Sequence, residues 1–535
     1  MAGGLPAAGE VLPLARRLPG CPDPLALYAR LCDGGRRPDT LLLESVDVAT
    51  RRAEQSFLMP RAALRVECRG RTVTLTALTP NGESALAALA PALAARAAVA
   101  RTAAGLTATY PAPAAGGSEE ARLTAPSPFD ALRAIALGWR LLSEPAATSL
   151  LAAGVFSYDL LECFEALPAQ EADPLGFPEL VFWLPEALVV INHQQQATTI
   201  LAPVFGGPNA QASYHDAQAL VEELGRAAQD PALCAAAAAP LEHRLVPPRA
   251  AARPRVDLSD EDYARLVVAL KRRIVAGDVF QIVPSRTFSV PCDDPLAAYG
   301  RLCVLNPSQY MFYVRGPAHT LLGASPETAV RVAGTPRQVE ICPIAGTARR
   351  ARRPDGSIDL DLDGRLEAEL RLSGKELAEH MMLIDLARND VARVSEAGTR
   401  HVSRLLAVDR YSHVMHLVSH VTGTLRGGLD ALHAYAASMN MGTLVGAPKL
   451  KAAELLRRAE ATRRGPYGGA VGYVAADGRM DTAIIIRSAV VKDGVAHVRA
   501  GAGVVYDSDP QAEAQETRRK AQVVLEALGA AREDA

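Results

Sequence analysis

Glu513, Glu516 and Lys520 are spaced three and four residues apart, so on a helix they share one face. Just before them runs Ala500-Gly501-Ala502-Gly503, small residues that let backbone N–H groups approach a ligand closely. A small-residue anion cradle leading into a helix with two acids and a lysine suits a small polyanion held partly through a metal ion. Taken alone, the stretch reads better as a loop before a solvated helix with ordinary ion pairs. Glu376 and Glu379 repeat the one-turn spacing of acids. Arg487 follows Ile484-Ile485-Ile486 on an expected strand. A buried arginine needs an anionic partner, which is either a structural acid or a ligand.

These groups need elements to hold them. Asp509 stands at a helix N-cap with Pro510 at the first helical position. Ser373 to Glu376 caps a second helix that runs through Leu386, with Glu376, Glu379 and Leu383 along one side. Ser259 to Asp262 opens a third, which ends at Gly277. Strands are expected at Phe280–Val290, Tyr411–Val421, Val471–Tyr473, Ala483–Val491 and Val495–Ala500, with strand-like Val504 and Val505 after the cradle. In the second of these, Val414, His416, Val418 and His420 share a face. Earlier in the chain, strands are expected at Thr40–Asp47, Gly154–Tyr158 and Leu180–Asn192. Ala85–Ala104 reads as helical, starting or kinking at Pro91, with Arg96 and Arg101 exposed. Residues 111–128 read as a loop, and the low-complexity stretch 227–254 as a linker. That divides the chain into an N-terminal region, 1–226, and a second region, 255–535. Strands and helices mix without regular βαβ alternation, so the class is α+β.

Composition excludes several functions. Lys+Arg is 57 against Asp+Glu 59, so no charge excess points to nucleic acid. None of the eight cysteines forms a C-x-x-C pair, which argues against a zinc cluster and fits a reducing cytosol. No signal peptide or bilayer-spanning stretch is evident, so a cytoplasmic location is expected. Ala500–Val505 is not a dinucleotide-binding turn, because no third glycine opens a helix directly after the strand.

Several short strings remain: Gly323-Ala324-Ser325-Pro326-Glu327, Pro343-Ile344-Ala345-Gly346-Thr347, the run Glu379–Asp390, the run Met441–Lys449, Gly465-Pro466-Tyr467-Gly468-Gly469 and Ile484–Arg487. Together, in this order and spacing, they resemble the chorismate-utilising enzymes, and within them the anthranilate synthase component I group. The resemblance runs from Leu41 to Lys520. It implies mainly antiparallel sheets packed as a sandwich with helices outside. It also implies a Mg2+-dependent reaction in which ammonia adds to the chorismate ring, the ring hydroxyl leaves, and pyruvate is eliminated to give anthranilate.

The resemblance assigns roles residue by residue. Glu379 and Glu516 are implied as Mg2+ ligands, with Glu376 and Glu513 one turn before them in support. Gly346, Thr347, Thr443, Tyr467, Arg487, Gly501, Ala502, Gly503 and Lys520 are implied to hold the substrate. Glu327 matches the general acid and His416 a catalytic histidine serving pyruvate elimination; from the residues alone, these read as a turn acid and a hydrogen-bonded strand histidine. His413 and His420 keep that structural reading. Where water-adding relatives carry a lysine, this chain has Gln281, and neutral ammonia needs no base. Where aminodeoxychorismate-forming relatives carry a lysine, Ala345 stands. Both favour anthranilate formation.

No cysteine sits in a glutaminase-like nucleophile turn, so ammonia is expected from solution or from a separate glutamine amidotransferase subunit, in a heterotetramer. Glu44 and Ser45, with Gln309, Tyr310 and Met311, resemble the tryptophan-inhibition site, Tyr310 and Met311 closing over a slot. Gln309 replaces the proline usual there. The competing readings are a paralogue stopping at 2-amino-2-deoxyisochorismate, and a regulatory tryptophan-binding subunit without activity. No membrane partner is expected.

Overall fold

The computed structural model describes residues 5–47, 52–112, 118–142, 150–170, 172–238, 252–353, 357–410 and 414–530. Thr40–Asp47 is a strand, as expected. It pairs antiparallel with Arg52–Arg69 on one side and with Tyr310–Arg315, from the other half of the chain, on the second. Leu151–Phe156 likewise pairs with Ala470–Ala475. Strands from before and after residues 227–254 therefore share one hydrogen-bonded framework. Among the described residues the strand ladders are antiparallel except for the short pairing of Glu10–Pro19 with Arg140–Leu141.

Packing follows from the faces of these strands. One buried cluster, including Leu41, Phe57, Trp183, Phe312, Val471 and Ile485, draws almost wholly on strand residues and is the sandwich interior. Two others mix strand residues with helical ones. Leu27, Leu220, Tyr299 and Val524 cover one outer face, and Phe129, Tyr263, Ile384 and Leu456 belong to the other.

The three expected helix starts carry their caps. Ser259 Oγ accepts from Asp262 N at 3.1 Å, Ser373 Oγ from Glu376 N at 3.4 Å, and Asp509 Oδ1 from Ala512 N at 2.8 Å. The helices they open are Asp260–Val275, Gly374–Val394 and Pro510–Ala527. No helix is long and apolar enough to cross a membrane.

Several expectations are corrected. The alanine-rich helix is Pro80–Ala94, with Pro91 inside it, and Arg101 lies on the strand Ala98–Thr102. Pairing with Gly105–Thr109 overrides alanine's helix preference there. Residues 111–128 include the helix Glu119–Thr124. The segment 227–254 includes the end of Ala210–Ala228 and the helix Pro231–Ala238, while 239–251 lie outside the described residues. The strand expected over 280–290 divides into Gln281–Ile282 and Ser285–Pro291 around Pro284, which has no N–H for a ladder. The strand over 483–491 divides into Met480–Ile484 and Ser488–Lys492. The two pieces pair with different strands, Thr328–Ala333 and Thr320–Ser325, and Arg487 makes the turn between them at φ 49°. Val504 holds one isolated bridge, to Ile282, rather than a strand.

Candidate active site

The two acid-bearing helices converge. Glu379, on Gly374–Val394, is half-buried, and burial pushes its carboxyl up, with Glu376 and Glu516 adding repulsion and Lys520 opposing it. Glu513 is raised by burial in the same way, with Glu516 adding to it. Burial also pulls Glu516 upward, but Lys520 outweighs it and holds the carboxyl below its usual range. Lys520 Nζ lies 2.5 Å from Glu516 Oε1 and donates to the Gly501 carbonyl at 3.1 Å. Several carboxylates thus gather in one place, with Lys520 the cation bound directly to one of them. Their donor atoms are all oxygen, which fits a hard cation such as Mg2+.

Gln281 enters beside them. Its Nε2 donates to Glu379 Oε1 at 3.4 Å, and its Oε1 is buried with no hydrogen-bond partner. Gly503 lies against the pair: a Cβ there would fall 2.7 Å from Gln281 Nε2. Only glycine lets the backbone come this close. The cradle itself is narrower than expected. Ala502 N–H donates to the Pro284 carbonyl at 3.2 Å, so it is spent. Gly503 N–H donates to no group among the described residues.

Glu327 follows the strand Thr320–Ser325 and is buried. Burial pushes its carboxyl up to about 8, while Thr443, Arg487 and Lys520 pull the other way. Thr443 Oγ1 lies in the wall beside it, buried and without a hydrogen bond of ordinary geometry. Arg487 is half-buried and makes no ion pair or hydrogen bond through its guanidinium with the described residues. Its surroundings are Tyr467, Glu516 and Glu327. Of the two partners the sequence left open for it, no structural acid is engaged, so the guanidinium is available to a ligand anion. Tyr467 is buried close to the cradle: a Cβ on Gly501 would fall 3.2 Å from its hydroxyl.

His416 lies on the strand Val414–Thr424. Its Nδ1 is 3.2 Å from the Gly346 carbonyl and 3.0 Å from Thr347 Oγ1. Burial, with Arg487 and Lys520 acting in the same direction against the Gly346 hydrogen bond, lowers its pKa to about 4. It is therefore neutral at pH 7. Gly346 has φ 72°, and a Cβ there would fall 3.1 Å from Glu376 Oε2, which joins this wall to the acid cluster. His413 lies outside the described residues.

Sequence reading missed the group that ties these segments together. Arg464 donates to the carbonyls of Val283 and Leu444, each at 2.7 Å, and pairs with buried Glu460. Its guanidinium lies over the Tyr158 ring at 4.5 Å and the Tyr467 ring at 6.0 Å. Glu460 also holds the Ser285 N–H at 2.8 Å and Arg499 at 2.9 Å. The segments after Gln281 and Thr443 and the Tyr467 ring are thus fixed by one buried pair. The available signal was Glu460 four residues before Arg464, just ahead of Gly465-Pro466-Tyr467.

The N-terminal set is brought together as well. Glu44 is opposite Met311 and Ser45 opposite Tyr310. Glu44 accepts from Tyr299 Oη at 2.6 Å, and burial pushes its carboxyl up to about 7. Ser45 Oγ takes the Gln55 N–H at 3.2 Å, and the Gln309 carbonyl takes the Val46 N–H at 3.1 Å. One expectation is corrected. Tyr310 reaches Asp481 Oδ1 at 2.9 Å on one sheet face, while Met311 packs with Tyr299 on the other. Neighbours on a strand point opposite ways, so the two side chains do not close over one slot.

An antiparallel sandwich that gathers carboxylates, an arginine without an acid partner among the described residues and a glycine-rich turn has the chemistry to hold a small anion. The family model described as chorismate binding enzyme matches residues 96–526, and the chain belongs to that family. It is 49% identical over 515 residues to anthranilate synthase component 1 of Vibrio cholerae, covering 96% of each chain. It is 48% identical over 511 residues to that of Escherichia coli, covering 95% of each. Among solved structures it is similar to anthranilate synthase component I from Streptococcus pneumoniae, with TM-score 0.64, 26% identity, and 88% of this chain and 92% of that chain covered. It shares the fold of the menaquinone-specific isochorismate synthase of Escherichia coli, with TM-score 0.66 at 17% identity, covering 99% and 96%.

Proposed function

We infer that this chain is the chorismate-converting subunit of an anthranilate synthase, forming anthranilate and pyruvate from chorismate and ammonia. The observation that carries the reading beyond its relatives is the buried, unpartnered Gln281 Oε1 beside Glu379. An amide oxygen accepts an N–H of ammonia and cannot activate water as a base. That favours amination over water addition.

Glu379 and Glu516 would hold Mg2+, with Glu376 and Glu513 behind them. When bound, the ion supplies Lewis-acid stabilisation of charge on the substrate's carboxylate. Arg487, Tyr467, the Gly503 N–H and Lys520 orient the second carboxylate. Glu327, largely protonated at pH 7 by its burial, gives its proton to the departing ring hydroxyl. His416, a neutral imidazole held through Nδ1 against the Gly346 carbonyl and Thr347 Oγ1, serves as the base for the ring proton lost with pyruvate. That base favours anthranilate over release of 2-amino-2-deoxyisochorismate. Ammonia is delivered by a separate glutamine amidotransferase subunit, in a heterotetramer, in the cytoplasm. Tryptophan inhibits through the Glu44–Ser45 and Gln309–Met311 strands, which lead directly into the Thr320–Ser325 strand before Glu327.

The test is turnover of chorismate with ammonium and Mg2+, read by anthranilate fluorescence and pyruvate release in equal amounts. Accumulation of a non-fluorescent aminated product without pyruvate would assign the shorter reaction. No consumption of chorismate would leave the regulatory-subunit reading.

A further inference from the structure

His420 lies four residues beyond His416 on the same strand face, about 13 Å away at 3.3 Å per residue, and the proposed reaction does not use it. It stands on Val414–Thr424, which pairs with Gln338–Ile341 in the register Glu340 to Thr422 and Ile341 to Val421. Continuing that register sets Cys342 across from His420. Glu340 and Cys342, two apart, project from the same face as the histidine. The ligating atoms of Glu340, Cys342 and His420 all lie within 4.8 Å of one another.

Two groups converge on one nitrogen. His420 Nδ1 is 2.7 Å from Glu340 Oε1 and 3.5 Å from Cys342 Sγ. One imidazole N–H cannot serve a carboxylate and a sulfur at full strength, whereas one cation bonds all three. A tetrahedral Zn2+ with ordinary bond lengths sets a nitrogen and a sulfur ligand about 3.5 Å apart. The observed separation matches. Nitrogen and oxygen ligands would sit about 3.3 Å apart, so the carboxylate needs to move by less than about 1 Å. The other carboxylate oxygen, Glu340 Oε2, lies 4.0 Å from Arg331 Nη1, an outer partner that orients the carboxylate. All three groups stand on or beside two paired strands, the kind of rigid support that holds ligands at fixed spacing. Cys342 also lines the small cavity that Glu327 and Thr443 wall.

We propose that Glu340, Cys342 and His420 form a site for a thiophilic divalent cation of the Zn2+ class, separate from the carboxylate cluster at Glu379 and Glu516. Sulfur and imidazole select such ions over Mg2+. Cys342 gives up its thiol proton to solvent on binding, Glu340 supplies the second negative charge, and a bound site is electrically neutral.

The test is titration of the full chain with Co2+ in excess Mg2+. A sulfur-to-cobalt charge-transfer band in the near ultraviolet is expected to saturate at one ion per chain and to be erased by Zn2+. Cys342→Ser should abolish the band, and Glu340→Gln and His420→Ala should each weaken Co2+ binding about tenfold or more. Because Cys342 is buried, its replacement could disturb folding, and the half-buried His420→Ala is the independent variant. The proposal is overturned if wild type shows no band, or if the band keeps full affinity in His420→Ala. A band that survives in folded Cys342→Ser overturns it too, by assigning the sulfur to another cysteine. None of these readouts depends on turnover of chorismate.

Discussion

Replacing Glu327 by glutamine tests the proposed chemistry most directly, because the burial of this carboxyl gives the reaction a pH dependence with a definite sign. The carboxyl is buried, and its pKa of about 8 means roughly ten protonated groups for each ionised one at pH 7. The acid form is therefore loaded before substrate arrives. The sign follows: acid-dependent turnover is full at low pH and falls as pH rises through about 8, by about tenfold for each further pH unit. Ammonium works in the opposite sense, since it yields more free ammonia as pH rises, so total ammonium must be lowered at each step to keep free ammonia constant. Under that condition kcat/KM for chorismate, read by anthranilate fluorescence with saturating Mg2+, should descend above about pH 8 in wild type. Glu327→Gln keeps the size and one hydrogen-bond donor but loses the transferable proton. It should cost about 10²- to 10⁴-fold, and the residual rate should lack the descent. Thr443→Val removes an oxygen that pulls the carboxyl down, so the descent should move to higher pH. A Glu327→Gln enzyme within a few-fold of wild type, or identical profiles for the two, would refute the assignment.

Glu379→Gln and Glu516→Gln should each lower turnover about a hundredfold or more, with higher Mg2+ demand in a metal titration; near-native rates in both would remove the metal assignment. The purified chain alone should use ammonium and not glutamine, which an assay with each nitrogen source checks. Ser45→Leu should relieve tryptophan inhibition while sparing turnover, and equal inhibition curves for variant and wild type would take Ser45 out of that site. Arg464→Met leaves Glu460 buried beside Arg499 alone and unties the Val283 and Leu444 carbonyls, so a loss of about 3–5 kcal/mol is expected in denaturant unfolding.

What was legible in the sequence was local. Ser259, Ser373 and Asp509 announce helix starts because a cap satisfies N–H groups only two or three residues away. The one-turn spacing of Glu376 with Glu379 and of Glu513 with Glu516 likewise sets each pair on one side of its helix. That these two helices face each other is not local, and shows in the repulsion that Glu516 on one exerts on Glu379 on the other. Strand boundaries failed where tertiary pairing decided them. Ala98–Thr102 contains alanines suited to a helix, yet it finds a ladder with Gly105–Thr109. The break at Arg487 exists because the chain leaves one partner strand for another, and nothing in Ile484-Ile485-Ile486 reports that change.

The same switch explains why the cleft has its arginine. A residue inside either ladder would have its side chain fixed perpendicular to the sheet, half of them toward the strand-lined interior. At φ 49° between two ladders, Arg487 leaves that alternation, and its carbonyl accepts the Ala324 N–H at 3.1 Å while its side chain turns among Tyr467, Glu516 and Glu327. A left-handed backbone on a non-glycine residue costs about 1 kcal/mol or more. The surrounding strands can hold it because Ile484 N–H is bound by the Glu327 carbonyl at 3.0 Å and Ile485 N–H by the Gly469 carbonyl at 2.9 Å. The strained residue, the acid and the glycine turn after Tyr467 are thus one hydrogen-bonded unit. Displacing any one of them would move Arg487 relative to Glu327, which is the spacing that the proposed elimination depends on.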